Sequence, residues 1–143
     1  MEYYYIYMED GDSLRALTHI SSLLDDALRV FDDNNARLMT YRMTKANLLV
    51  SLHKDLDTAR QLLDEVWATL ETSHNTASET GCHAKFFTAL IYLDKHDFTD
   101  AIKCLEEVLR LAYKAKNFAQ HSQFVETVNN LIEVARNQAE LSQ

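Results

Sequence analysis

The sequence predicts an all-α fold of antiparallel helix pairs, and three observations predict it. The chain has 143 residues, no proline and only two glycines, Gly11 and Gly81, where average usage of the two together is about 12%. Apolar residues recur at three- and four-residue spacing, as in Leu105, Val108, Leu109 and Ala112, and again in Phe124, Val128, Leu131 and Val134. A segment of the sequence also recurs with a nearly constant period. With 47% apolar residues the chain can fill a core.

The elements follow in order. Asp12 is the expected N-cap of a first helix running to about Phe31, with Leu14, Leu17, Leu24 and Leu28 among its apolar positions. Asp32-Asp33-Asn34-Asn35 breaks it and caps a second helix, Ala36 to about His53. Asp55 caps a third, to about Thr72. Thr76-Ala77-Ser78-Glu79 reads as a capping box, in which the threonine accepts from the amide three residues on. It opens a fourth helix to about Lys95, with Gly81 weakening its first turns. Asp97 caps a fifth, to about Lys116, and Asn117 a sixth, to about Glu140. The joints are a few residues long, so neighbouring helices pack antiparallel.

The repeat is anchored on an aspartate four residues before an alanine. Asp12 precedes Ala16, Asp55 precedes Ala59 and Asp97 precedes Ala101, and the alanines are 43 and then 42 residues apart. Leu56 to Val66 lies over Phe98 to Val108, with Leu63 over Leu105. In the first copy Ile20 and Leu23 take the places of Leu63 and Val66. Upstream, Leu48-Leu49-Val50 overlies Leu90-Ile91-Tyr92. This divides the chain, read as a single domain over 1–143, into approximate repeats 1–33, 34–75 and 76–116 and a last helix, 117–141.

The clearest copy is Ala89-Leu90-Ile91-Tyr92-Leu93-Asp94-Lys95-His96-Asp97-Phe98-Thr99-Asp100-Ala101. A small residue, a large one three positions later, then aspartate and alanine resembles the tetratricopeptide repeat. Steric need explains the pattern: Ala89 and Ala101 let two helices approach while Tyr92 and Phe98 fill the joint. In this alignment the middle copy has Asn47 for the small residue and Val50 for the tyrosine, and no copy ends in proline. The period exceeds the family's usual 34, so the chain resembles a degenerate, long-period variety; proteasome-lid-type solenoids are a near neighbour. The resemblance implies a right-handed α-α superhelix. It also implies that the helix after Asn117 is a capping helix, with Glu126, Glu133, Arg136 and Glu140 on its polar side. Projected backwards, the repeat puts Tyr4 over Asn47 and Tyr7 over Val50. Residues Tyr3 to Tyr7 are then either the end of a first helix, making the chain an excerpt of a longer array, or an arm that packs locally.

Charge and composition exclude several functions. Twenty-two acidic against 14 basic residues give a net charge of −8, which repels phosphate backbones and argues against nucleic-acid binding. The apolar runs fall short of the roughly 20 residues of a membrane span. Two cysteines, Cys82 and Cys104, make no disulfide framework and fit an intracellular location, cytoplasmic or nuclear. Two glycines build no phosphate loop. Histidines 19, 53, 74, 83, 96 and 121 are scattered over separate helices and joints, without the close pairs of a metal site. Cys82-His83 could make one only with a distant partner such as His74 or Cys104. Arg15 and His19 are spaced one short of the minimum in helical ribonucleases and lack a polar partner. No enzyme, cofactor or metal is expected.

The resemblance implies a concave groove lined by the first helix of each pair. The residues in that register are Tyr41, Thr44, Lys45 and Leu48, then His83, Phe86, Phe87 and Leu90, then Val125, Val128, Asn129 and Ile132. Phe86, Leu90, Val128 and Ile132 become core if the register is one residue off. The family's carboxylate-clamping subclass uses Lys, Asn and Arg, whereas the matching positions hold Thr44, Leu48, Phe87, Val125 and Asn129. An apolar or mixed protein or peptide ligand follows. The expected function is a non-catalytic binding scaffold or adaptor. The alternatives are a peptide-sensing domain of a transcriptional or signalling regulator, or a subunit that self-associates through the N-terminal tyrosines.

Overall fold

The computed structural model describes residues 10–32, 35–115 and 122–141. Among them it has six α-helices: α1 (Asp10–Leu28), α2 (Ala36–Ser51), α3 (Leu56–Thr72), α4 (Glu79–Asp94), α5 (Phe98–Lys114) and α6 (Ser122–Leu141). The described residues contain no strand. The all-α expectation therefore holds. The chain divides into two compact units, Met1–Thr69 and Leu70–Gln143.

In the first unit α1 packs on α2. Ile20, Leu24 and Ala27 of α1, Leu38, Met43, Ala46, Leu48 and Leu49 of α2, and Ala59, Leu63 and Val66 of α3 are buried. In the second unit α4 packs on α5 and α5 on α6. Its core takes Ala84, Phe87, Ala89 and Ile91 of α4, Ala101, Leu105 and Val108 of α5, and Val128, Ile132 and Ala135 of α6. In α1, α3, α5 and α6 these residues recur every three or four positions, the period that puts them on one helix face; α2 and α4 are buried over a wider arc, with Leu48 next to Leu49 and with Phe87, Ala89 and Ile91 two apart.

The helix ends correct several expectations. Helix α1 begins at Asp10, so Asp12 lies inside its first turn and does not cap it. It stops at Leu28, and Leu14 and Leu28 are exposed. Asn35 caps α2 as expected, its side chain accepting from the Arg37 amide at 2.8 Å. Helix α4 is capped by Ser78, whose Oγ accepts from the Gly81 amide at 3.1 Å; the capping box at Thr76 does not form. The chain reaches Ser78 by folding Thr76 against the helix, and a Cβ on Gly81 would lie 1.9 Å from the Thr76 carbonyl oxygen. Gly81 is required by this approach rather than merely weakening the helix. Asp97 is the residue before α5 but makes no side-chain cap bond. Helix α5 ends at Lys114, and α6 spans Ser122–Leu141. Asn117, and Tyr3 to Tyr7, lie outside the described residues.

Three helices end in one way. His53, His74 and His96 have φ of 52°, 56° and 60°. Their amides donate to the carbonyls of Val50, Glu71 and Leu93, and the next amides, of Lys54, Asn75 and Asp97, donate to Leu49, Leu70 and Tyr92. This double pattern is the Schellman motif, in which a left-handed residue closes the helix. Glycine usually takes that position, and here histidine does.

The two central helix pairs match in length. Helices α2 and α4 have 16 residues each and α3 and α5 have 17 each. Their ends fix the alignment: Ala36 corresponds to Glu79 and Ser51 to Asp94, a spacing of 43, while Leu56 corresponds to Phe98, a spacing of 42. The expected alignment of Leu48 with Leu90 is thus one residue off. Leu48 pairs with Ile91, Leu49 with Tyr92, and Ala46 with Ala89, both alanines fully buried. The extra residue lies in the α2–α3 joint, where Asp55 adopts a second left-handed conformation, φ 49°.

Candidate functional site

Of the twelve groove residues, Leu48, Phe87, Val128 and Ile132 are buried. Tyr41, Thr44 and Lys45 on α2, His83, Phe86 and Leu90 on α4, and Val125 on α6 are partly exposed, and Asn129 is exposed. Tyr41, Thr44, Lys45 and Leu48 belong to the first unit and the others to the second.

Within the second unit the structure gathers an aromatic cluster. His83 lies one turn before Phe87 on α4, their ring centroids 6.1 Å apart. Phe124 of α6 meets His83 edge-on at 5.2 Å and Phe86 at 5.3 Å. Phe86 and Phe87 are 6.0 Å apart. Tilted and edge-to-face contacts at these separations place positive ring edges against negative faces. Phe87 roots the cluster in the core, and His83, Phe86 and Phe124 leave part of their surface in solvent. The arrangement offers a hydrophobic face with an imidazole in it. The groove register selects Val125 and not Phe124, although the spacing of four residues to the buried Val128 puts Phe124 on the same helix face as that core residue.

The first unit carries a shallow cavity of about 200 Å³ lined by Leu23, Asp26, Ala27, Val30, Phe31 and Tyr41. It forms because α1 stops at Leu28 and the chain turns, with the Arg29, Val30 and Phe31 amides donating to the carbonyls of Asp26, Ala27 and Ala27. Phe31 is held from one side by Arg37, whose guanidinium carbon is 5.8 Å from the ring centroid. Val30 is 75% exposed. Of the lining, only Tyr41 was expected. A helix read as running to Phe31 gave no sign that Val30 and Phe31 form a cavity wall.

Cys82 is fully buried, and burial, helped by nearby Glu79, pushes its thiol up to about 12, so at neutral pH it is a protonated core side chain. Cys104 is partly exposed. Among the described residues no three His, Cys, Asp or Glu side chains group to hold a metal ion, and no helix is long and apolar enough to cross a membrane. Compared with protein-family models, curated proteins and solved structures, the chain matches none.

Proposed function

We propose that the protein is a non-catalytic protein- or peptide-binding scaffold, built as a tetratricopeptide-like right-handed array and working inside the cell. The observation that carries this reading is the correspondence of the α2–α3 and α4–α5 pairs. They agree in helix lengths and in N-caps, Asn35 and Ser78. They also agree in Schellman closures at His53 and His96 and in the buried alanines Ala46 and Ala59 against Ala89 and Ala101. Small residues at matched positions are what closely packed helix pairs require. Scaffolds of this kind bind through side chains left partly exposed on the first helices, here Tyr41, Thr44, Lys45, His83, Phe86 and Leu90, with Val125 and Asn129 beyond them.

The test is capture of partners from a cell lysate by the wild type and by two surface variants, Lys45→Glu/Thr44→Ala and Phe86→Ser/Asn129→Ala, each first checked for helicity by circular dichroism. Loss of the same captured protein by a folded variant supports the scaffold. Capture unchanged in both, or no capture at all, counts against it.

A further inference from the structure

We infer that the cavity at the end of α1 is a docking site for a basic amphipathic segment of a partner protein, one presenting a large apolar side chain with a lysine or arginine within a helical turn of it. The inference rests on the protein-binding reading and gives one surface its ligand chemistry.

The cavity has room for one large apolar side chain, about 200 Å³ bounded by Leu23, Ala27, Val30, Phe31 and Tyr41. Val30 presents its side chain to solvent, 75% exposed, and Leu28 beside it is 48% exposed. Burying such surface is the main gain available to a partner. The sole ionisable carboxylate of the lining, Asp26, sets the partner's charge. Among the described residues no ion pair engages it.

Asp25 and Asp26 stand in the last turn of α1, which contains no basic residue. The C-terminal end of a helix carries partial negative charge from its aligned peptide dipoles, so carboxylates there are destabilising and cations favourable. Two acids at this end, with exposed Asp32 beyond them, form a local charge arrangement that a ligand cation relieves. The nearby cations are not paired with these acids: Arg37 stands over the Phe31 ring, and among the described residues no ion pair joins Arg29 to Asp25 or Asp26. An acidic or purely apolar partner leaves the conflict in place, and a cationic one removes it.

Fluorescence anisotropy on the full chain tests this with three labelled synthetic peptides. The first is built of alanine and lysine around one tryptophan; the second replaces the tryptophan by alanine; the third replaces every lysine by glutamate. The first should bind about tenfold or more tightly than either control, and added salt should weaken it. Val30→Asp and Asp26→Lys should each weaken it by a similar factor. Both positions are exposed, so the variants should fold, and circular dichroism checks that they do. Val30→Asp is the discriminating variant: it adds a negative charge, so general attraction to an acidic chain would strengthen binding.

Equal binding of the first two peptides, or binding unaffected by Val30→Asp, overturns the inference. So does light scattering that shows a dimer dispersed by Val30→Asp, which would make a second copy the occupant. No peptide binding, with lysate capture still lost on mutation at Phe86, defeats this inference alone. Peptide binding here, with capture indifferent to Lys45 and Phe86, defeats the groove reading alone.

Discussion

Arg42 of α2 places its Nε 3.1 Å from Oε2 of Glu65 on α3, the arginine side chain 7% exposed and the glutamate 38%. A buried guanidinium is tolerated when its donors are met, and its stem packs as an apolar group. The half-exposed glutamate, by contrast, is solvated by water when its partner is removed. Glu65→Ala should therefore cost about 2–3 kcal/mol, because it takes a carboxylate from a buried guanidinium, and Arg42→Ala about 1–2 kcal/mol, lost mainly as packing of the stem. Urea denaturation of the two single variants checks the order.

Gly81 lies in the first turn of α4, where an ordinary glycine-to-alanine change would stabilise by about 1 kcal/mol. The Thr76 carbonyl 1.9 Å from the missing Cβ reverses the sign. Gly81→Ala should destabilise by about 2 kcal/mol or more, because a backbone atom has to move. A thermal melt reads the direction without ambiguity.

The left-handed histidines predict gains. A non-glycine residue in this conformation costs about 1–2 kcal/mol, and glycine returns about 0.5–1 kcal/mol of that as unfolded-state entropy. His74→Gly should stabilise by about 0.5–1 kcal/mol. His96→Gly should gain less, because the imidazole meets the Phe98 ring edge-on at 5.8 Å. Denaturant midpoints measured side by side give the ranking.

Cys82 predicts an alkaline weakness. Its thiol has an ordinary value of 9.0 and sits at about 12 in the folded chain. Below pH 9 the group is protonated in both states and stability does not depend on it. Above pH 9 the unfolded chain releases the proton first, so stability falls as pH rises toward 12, by about 1.4 kcal/mol per unit at most. Cys82→Ala should flatten that slope. At neutral pH iodoacetamide should modify Cys104 well before Cys82, as mass spectrometry of the digested protein will show.

Phe86 and Phe124 join α4 to α6 at 5.3 Å. A double-mutant cycle with alanine at both positions should give a coupling of about 0.5–1.5 kcal/mol. Each single substitution should lower stability by about 2 kcal/mol, less than for a fully buried phenylalanine.

The all-α class, and six helices near the expected places, were legible because apolar spacing keeps the helical period over most of the chain, whereas of the caps expected at Asp12, Asn35, Thr76 and Asp97 Asn35 alone makes its side-chain bond. Asn35 precedes a long apolar-periodic run and caps as expected. The cap of α4 was not legible: Thr76-x-x-Glu79 and Ser78-x-x-Gly81 overlap, and the choice is made by the packing of the Thr76 carbonyl on Gly81. The first helices were aligned one residue off because the alanine anchor belongs to the second helices, and the joint between them hides an added residue. His83 and Phe86 were named from the register that the resemblance implies, and both are partly exposed. Phe124 was not, because neighbours on a helix differ by about 100° in direction and a one-residue slip exchanges them. The cavity beside Tyr41 depends on where α1 stops, and nothing in its apolar pattern marks Leu28 as the end.

The left-handed Asp55 has a consequence for how such a chain can vary. A residue inserted inside a helix turns every later side chain by about 100°, bringing Leu63 and Val66 out of the core. Placed at the joint, the added residue leaves α3 in phase, with Ala59, Leu63 and Val66 buried like Ala101, Leu105 and Val108. Length change is therefore absorbed by a single peptide unit at the hinge of the pair. A deletion of Asp55 should shorten the joint to the form seen before α5 and leave both helices intact, whereas removal of one residue from the middle of α3 should dismantle the unit.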